Sequence, residues 1–203
     1  MQDAGGPAVG FPLPGPCLPT IDAGHVSLRA LGSEHTDDLF AIFSDPHVMR
    51  YWSSPAMKSR DEARDLLAEI DAHFQAHTLY QWGIADRGSE RIVGTATLAA
   101  LDRVNRRAEI GFALAAGAQG HGRATAAVTA LLDFAFGSLR LHRIEADVDP
   151  ENAPSLSLLE RLGFRREGRL RERWLALGKP QDALMLGLLA REWKQRNDGR
   201  ATR

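Results

Sequence analysis

Cysteine is almost absent from this 203-residue sequence, in which Cys17 is the single example. A lone cysteine forbids an internal disulfide and a cysteine-based zinc cluster, so we expect a reducing, cytoplasmic environment. An excess of charge is also missing, because 25 Lys and Arg residues against 26 Asp and Glu residues leave a net charge of −1. Without a global basic field, the composition gives no support to nucleic acid binding.

The sequence also lacks a recognisable membrane segment. The stretch from Ala4 to Ile21 is uncharged, but residues 1–24 hold five of the ten prolines, five of the nineteen glycines and no Lys or Arg. Prolines at that density break a helix, and a signal peptide would need a basic start. We predict a flexible Pro/Gly-rich tail over 1–24, one domain over 25–194, a disordered tail over 195–203, and no association with a membrane.

Hydrophobic periodicity predicts the element order β-α-α-β-β-β-α-β-α-β-β. The predicted strands cover residues 25–31, 80–86, 91–101, 106–115, 142–149, 164–174 and 183–190. The four predicted helices begin at Ser33, at Ser59, after Gly122 and at Asn152. Ser59 and Glu62 form a capping-box pattern, which is typical of a helix start. We expect an α+β fold, in which a mainly antiparallel seven-stranded sheet is flanked by about four helices and contains one central crossover.

The most informative segment is a strand that runs through a glycine-rich turn into a helix. Its residues are Glu109-Ile-Gly-Phe-Ala-Leu-Ala115, followed shortly by Gln119-Gly-His-Gly-Arg-Ala-Thr125. A helix that begins on a Gly-x-Gly turn offers unpaired N–H groups and the positive end of its dipole, which suit a phosphate or pyrophosphate. A purely structural turn would also use glycine. A P-loop is excluded because no Gly-Lys-Ser/Thr follows.

A dinucleotide-binding turn is the closest competitor for this segment. Gly120 and Gly122 fit its fingerprint, but the third small-residue position holds Thr125. The preceding strand carries Arg107 and Glu109, whereas an internal parallel strand should be apolar on both faces. The sequence therefore favours NAD(P) binding less than binding of another phosphate-bearing ligand.

The segment Gln119-Gly-His-Gly-Arg-Ala124 resembles the Gln/Arg-x-x-Gly-x-Gly/Ala signature of the GNAT acyl-CoA-dependent N-acetyltransferases. Over residues 25–194 the chain is similar to the RimJ/RimL-like branch, which contains ribosomal-protein N-terminal acetyltransferases. The pieces that carry this likeness include Ala108-Glu-Ile-Gly111, Asn152-Ala-Pro-Ser155, Leu159-Glu-Arg-Leu-Gly-Phe164 and Arg191-Glu-Trp193. The resemblance implies an α/β sandwich whose fourth and fifth strands splay apart. The pantetheine arm of acetyl-CoA, the co-substrate, lies in that gap.

The resemblance also implies which residues meet acetyl-CoA. Backbone groups of Phe112, Ala113 and Leu114 would contact the pantetheine and the thioester, and Asn152 would either bond the pantetheine amides or simply cap its helix. The pyrophosphate would be held by the turn and the first turn of the helix, through Gln119, Gly120, His121, Gly122, Arg123, Ala124 and Thr125. Arg123 could instead be an exposed residue at a helix start.

Acetyl transfer to an amine needs a base, because an ammonium group has no lone pair. Glu109 is the candidate, acting directly or through water. The competing interpretation is a surface carboxylate paired with an arginine such as Arg107. Glu172 on the sixth predicted strand is a weaker second candidate for the base.

The leaving thiolate and the acceptor need further residues. Many GNAT enzymes use a tyrosine on the helix after the fifth strand, and residues 153–163 contain none. In the RimJ/RimL-like branch a serine takes that place, and Ser155 matches it, although it is also an ordinary first-turn serine. Tyr51 and Trp52 lie between the first two predicted helices and are candidate walls for the acceptor, with core packing as the alternative.

Taken together, these residues predict an acetyl-CoA-dependent N-acetyltransferase that acts on a primary amine by direct attack on the thioester. The acceptor would be a protein N-terminus or a small-molecule amine, and the enzyme a monomer or homodimer. No metal is expected, because no Glu or Cys completes a site near His73 and His77, which lie at an exposed helix end. The alternatives are a non-catalytic acyl-CoA sensor on the same fold and, less favoured, an NAD(P)-binding protein.

Overall fold

Alternating apolar and polar residues build an eight-stranded sheet in the computed structural model, which describes residues 14–201. The strands are β1 (Ile21–Ala23), β2 (Val26–Ala30), β3 (Tyr80–Asp86), β4 (Ile92–Asp102), β5 (Arg107–Leu114), β6 (Arg143–Val148), β7 (Arg165–Ala176) and β8 (Lys179–Leu189). Their order across the sheet is β1-β2-β3-β4-β5-β6-β8-β7. Every neighbouring pair is antiparallel except β5 and β6, which are parallel because α3 connects them. The predicted α+β class with a mainly antiparallel sheet is confirmed.

Five α-helices accompany the sheet. They are α1 (Thr36–Phe43), α2 (Arg60–Gln75), α3 (Arg123–Asp133), α4 (Ala153–Leu162) and α5 (Ala190–Ala201). The predicted cap of α2 is present, since the Ser59 hydroxyl accepts a hydrogen bond from the Glu62 N–H group. A short 3-10 turn, Val48–Tyr51, lies between α1 and α2. None of the helices within residues 14–201 combines the length and the apolar character that a bilayer crossing requires.

The sheet has one strand more than the sequence predicts, and α5 is an additional helix. β1 lies inside the segment 1–24, which was predicted to be a flexible tail, and pairs with β2 through a turn at Gly24. Three residues are too few to show a strand period. At the other end, α5 extends to Ala201 and so covers residues 195–201 of the segment for which the sequence predicts a disordered tail. The rest of both tails, 1–13 and 202–203, lies outside the described residues.

Two hydrophobic clusters hold the sheet between the helices. The larger cluster includes Leu131 of α3 and Leu159 of α4, and the smaller one includes Leu39 of α1. On β5, Ile110 belongs to the larger cluster and Ala113 to the smaller one. Because side chains alternate between the faces of a strand, β5 is clamped from both sides, which fixes the position of the glycine-rich turn that follows it.

Candidate active site

The strands β5 and β6 separate halfway along their length. They pair only at three positions, Arg107 with Arg143, Ala108 with Ile144, and Glu109 with Glu145. β6 keeps its other neighbour, β8, as far as Val148, while β5 remains paired with β4 as far as Leu114. The edge of β5 that faces β6 therefore has no strand partner over residues 110–114. This is the gap that the resemblance implies.

A cavity of about 430 Å³ lies along this free edge of β5. Its walls come from the end of β5, the glycine-rich turn, the start of α4, and the turn between α1 and α2. Four basic residues and no acidic residue line it, namely His47, Arg50, Arg123 and Arg161. A cavity of this size and charge suits a large anionic ligand such as a nucleotide pyrophosphate.

The glycine-rich turn forms the anion-binding end of this cavity. Gly120 and Gly122 have φ values of +78° and +75°, in the left-handed region that penalises other residues. α3 begins at Arg123, and no side chain caps it. The N–H groups of Arg123, Ala124 and Thr125 consequently lack helical acceptors and point out of the helix end, beside the cavity.

Gln119 and the side chain of His121 make hydrogen bonds within the turn and to the end of β5. The N–H group of Gln119 donates to the carbonyl of Ala116 at 3.3 Å, and its side-chain amide donates to the carbonyl of Leu114 at 3.1 Å. The ring of His121 contacts the carbonyl of Gln119 and does not line the cavity. Gln119 therefore ties the turn to the end of β5, and it also lines the cavity.

Arg123 is anchored at the cavity and is not a free surface residue. Its Nε donates to Oδ1 of Asp86, the last residue of β3, at 2.9 Å. That hydrogen bond is the main reason why the pKa of Asp86 lies below its ordinary value. The ion pair holds the Arg123 guanidinium at the cavity wall.

A second cavity, of about 240 Å³, adjoins the first and is acidic. Tyr51, Trp52, Phe112, Asn152 and Ser155 line both cavities and so mark the junction between them. The second cavity adds four carboxylates and no basic residue to its walls, namely Glu109, Asp147, Asp149 and Asp182. One cavity thus suits an anionic ligand and the adjoining one a cationic ligand.

Glu109 is half-buried in the wall of the acidic cavity. Within residues 14–201 its carboxylate has no hydrogen-bond or ion-pair partner, because Arg107 binds Glu145 at 2.7 Å and Asp102 at 3.4 Å instead. Burial raises the pKa of Glu109, and the nearby negative charge of Asp147 raises it further. A raised pKa makes Glu109 a better proton acceptor than an exposed carboxylate. The other candidate base, Glu172, is exposed and lines neither cavity.

Asn152 and Ser155 lie at the start of α4, at the junction. Asn152 caps the helix, because its Oδ1 accepts a hydrogen bond from the Ser155 N–H group at 3.3 Å. Within residues 14–201 its Nδ2 has no hydrogen-bond partner. Ser155 has its hydroxyl on the same first turn. Tyr51 and Trp52 close the junction from the opposite side, where Trp52 packs edge-on against Phe43 with ring centroids 6.0 Å apart.

Within the part of the chain that the structure describes, no three His, Cys, Asp or Glu side chains are grouped so that they could hold a metal ion. His73 hydrogen-bonds Thr78 and His77 hydrogen-bonds Tyr80, so this pair has local structural partners.

Sequence reasoning missed the outer wall of the acidic cavity. Asp147, Trp174 and Asp182 line it together with Glu109. Asp147 is recognisable in the sequence only as an acidic residue near the end of a predicted strand. Its proximity to Trp174 depends on how the β7–β8 hairpin curves, for which the sequence carries no local signal.

Comparison with known proteins identifies the family. Residues 25–165 match the family described as the acetyltransferase (GNAT) domain. The chain is 36% identical over 176 residues to the uncharacterized N-acetyltransferase p20 of Bacillus licheniformis, which covers 87% of this chain and 99% of that protein. Among solved structures, Mycobacterium smegmatis RimJ in complex with CoA-disulfide superposes with a TM-score of 0.77 at 28% identity, covering 87% of this chain and 88% of that one.

A second solved structure is spermidine N-acetyltransferase from Vibrio cholerae in complex with CoA and spermine. It superposes with a TM-score of 0.74 at 26% identity and covers 84% of this chain and 98% of that one. The chain belongs to the GNAT family of acetyltransferases, and its likeness to RimJ is consistent with the RimJ/RimL-like branch. It is an acetyltransferase enzyme, and its fold implies acetyl-CoA as the co-substrate.

Proposed function

We propose that this protein transfers an acetyl group from acetyl-CoA to a primary amine by direct attack on the thioester, and that it does so in the cytoplasm. The observation that carries the proposal is the junction of the two cavities. A basic cavity along the free edge of β5 meets an acidic cavity that contains the unpaired Glu109. The first suits the anionic co-substrate and the second a cationic amine.

On the co-substrate side, the turn and the first turn of α3 would hold the pyrophosphate through the N–H groups of Gly122, Arg123, Ala124 and Thr125. The free edge of β5 would pair with the pantetheine amides as an added strand does, with Phe112 to Leu114 nearest the thioester. The side-chain Nδ2 of Asn152 would donate a hydrogen bond to a pantetheine amide. N–H groups on β5 would stabilise the oxyanion that forms when the carbonyl is attacked.

On the acceptor side, Glu109 removes a proton from the ammonium group, directly or through water, so that the nitrogen regains its lone pair. The nitrogen then bonds to the acetyl carbon and the carbon–sulfur bond breaks. The second proton of the nitrogen passes to the departing thiolate, directly or through water, so the products are the neutral acetylated amine and CoA as its thiol, while the first proton is still on Glu109 and is then released to solvent. Ser155 stabilises that thiolate by donating a hydrogen bond, since a serine hydroxyl is too weak an acid to protonate it fully.

The charge of the acidic cavity favours an acceptor that carries a second positive charge. Of the four carboxylates that line it, Asp147 and Asp182 are already paired with arginines. One ammonium group would therefore meet Glu109, and a second cation would be attracted mainly by Asp149. The Vibrio cholerae relative is named for spermidine and was solved with spermine, whereas an Escherichia coli relative is named for the alanine of ribosomal protein uS5. We therefore propose a diamine or polyamine as the first acceptor to test and a peptide N-terminus as the second.

A binding measurement followed by a turnover measurement tests this function. Acetyl-CoA should raise the thermal unfolding temperature and NADPH should not. Free thiol should then be released with 1,4-diaminobutane at a kcat/KM about tenfold above that for butylamine, the size expected for one additional charge-assisted hydrogen bond. Binding of acetyl-CoA without thiol release for any amine or peptide would favour the non-catalytic sensor instead.

A further inference from the structure

The β7–β8 hairpin contains an irregularity that serves no evident role in the sheet. The register of β7 against β8 shifts between Leu170 and Trp174, and Glu172 within this bulge has a φ of +52°. The left-handed region is unfavourable for a residue other than glycine. The bulge is fixed by Asp182, which accepts hydrogen bonds from the Glu172 N–H group at 2.8 Å and from Arg169 at 2.7 Å. Bulges of this kind commonly re-aim a side chain next to a site.

The side chains that this bulge redirects are Arg173 and Trp174. Arg173 donates through Nε to Oδ2 of Asp147 at 3.3 Å, and Trp174 donates through Nε1 to Oδ1 at 3.1 Å. Asp147 lies on β6, and β8 separates β6 from β7 in the sheet. The hairpin therefore reaches across one strand to cover a carboxylate that is only 3% exposed.

Asp147 shares the wall of the acidic cavity with Glu109. After burial, the negative charge of Asp147 is the next contribution that raises the pKa of Glu109, and the positive charge of Arg173 acts against it. Other charged or titratable groups that face Glu109 or share its cavity are Arg107 of β5, Glu145 of β6, Tyr51, Asp149 and Asp182. Arg107 and Glu145 pair with each other outside the acidic cavity, whereas Asp147 lies in the cavity wall and, with Arg173, has the larger influence on Glu109.

We propose that Arg173 is a positioning residue, held against Asp147 by the bulge in β7, and that the two together set the pH range in which Glu109 accepts a proton from the acceptor amine. This inference rests on the proposed role of Glu109 as the base. It explains why β7 retains a strained residue, since a regular strand at this position would not deliver Arg173 to β6.

The two members of the pair act on Glu109 with opposite signs. Without Arg173, the charge of Asp147 is no longer offset, so Glu109 binds its proton more tightly and the acid limb of the pH profile of kcat/KM moves to higher pH. Asp147→Asn removes the negative charge and moves the same limb to lower pH. A side chain with only a structural role would lower kcat/KM at every pH without moving the limb.

The test measures kcat/KM against pH for the wild type, Arg173→Gln, Arg173→Lys and Asp147→Asn. Arg166→Gln is the matched control, because Arg166 lies on the same strand, is exposed and pairs with Glu160 at 2.6 Å away from the cavities. In Arg173→Gln the midpoint of the acid limb should move to higher pH by about 0.5 pH units, as expected for the loss of one charge several ångströms away. Asp147→Asn should lower it, while Arg173→Lys and Arg166→Gln should match the wild type.

An unchanged limb in Arg173→Gln, or shifts of the same sign in Arg173→Gln and Asp147→Asn, would overturn the inference. If Asp147→Asn does not fold, the comparison of Arg173→Gln with Arg173→Lys decides alone. Glu109→Gln separates this inference from the proposed function. If the acid limb of the pH profile persists in Glu109→Gln, Glu109 is not the base and the proposed function is wrong on this point. If Glu109→Gln loses the acid limb but Arg173→Gln does not shift it, Glu109 remains the base and only the role of Arg173 is wrong.

Discussion

Glu109 and Glu145 are the last two residues that β5 and β6 hold in register, and the strands separate immediately beyond them. Glu145 accepts hydrogen bonds from Arg107 at 2.7 Å and from Arg143 at 2.8 Å. Glu109 has no such partner within residues 14–201. The last paired position of the two strands thus carries two carboxylates with different surroundings. Glu145 is held by two arginines, whereas Glu109 lies unpaired where the gap begins.

Gly122→Ala should weaken acetyl-CoA binding. Alanine at a φ of +75° is strained, and its methyl group would project into the open space beside the N–H groups of α3. We expect the KM for acetyl-CoA to rise about tenfold, the effect of losing one charge-assisted hydrogen bond. Gly117→Ala is the control, because Gly117 has no positive φ and its added methyl group also meets open space. Equal KM values in the two variants would contradict the phosphate cradle.

Ser155→Ala should lower kcat about tenfold and leave the KM for acetyl-CoA nearly unchanged, since the lost hydrogen bond acts on the departing thiolate. Ser157→Ala is the matched control on the same helix. Ser157 is exposed and accepts a hydrogen bond from Arg161. Steady-state kinetics with a single amine measures kcat and the KM for acetyl-CoA of each variant. If Ser155→Ala is as active as Ser157→Ala, Ser155 does not assist the leaving group.

Glu109→Gln should stabilise the protein at neutral pH. Because burial raises the pKa of Glu109, the folded chain binds this proton more tightly than the unfolded chain. Stability of the wild type therefore falls as pH rises from the unfolded-state pKa of Glu, about 4.3, through the folded-state pKa. The variant lacks this loss, so its unfolding temperature should exceed that of the wild type at pH 7 and match it near pH 4. A variant that is less stable than the wild type at pH 7 would contradict the effect of burial.

Direct attack predicts that no acetyl-enzyme forms. Cys17 supplies the single thiol in the sequence and is exposed, so it is the natural suspect for a covalent carrier. Incubation with acetyl-CoA alone should release no stoichiometric burst of CoA, and Cys17→Ser should keep wild-type activity. A burst of one equivalent, or parallel lines in double-reciprocal plots, would indicate a ping-pong reaction.

Local patterns explain what the sequence predicts well. The turn at Gly120 and Gly122 is readable because a left-handed backbone requires glycine, and the cap at Ser59 because the hydroxyl meets an N–H group three residues later. Strand β1 was missed because three residues show no period. The placement of Glu109 at the end of the β5–β6 pairing followed from the resemblance and not from strand patterning.

The acidic cavity depends on distant contacts that no local pattern reports. Asp147 and Arg173 are 26 residues apart in sequence, and they meet only because β8 inserts between β6 and β7 and because β7 carries a bulge. Likewise, the hydrogen bond from the Gln119 N–H group to the carbonyl of Ala116 arises in a short turn that a glycine pattern does not reveal.

The most direct test of the proposed chemistry is kcat/KM for Glu109→Gln across pH 6–9, measured by thiol release with 1,4-diaminobutane. Glu172→Gln, on the exposed bulge of β7, is the control. We predict a loss of about 10²–10⁴-fold at pH 7, with unchanged affinity for acetyl-CoA and with activity that recovers as the amine deprotonates in solution. Full activity of Glu109→Gln across this pH range would contradict the assignment of Glu109 as the base.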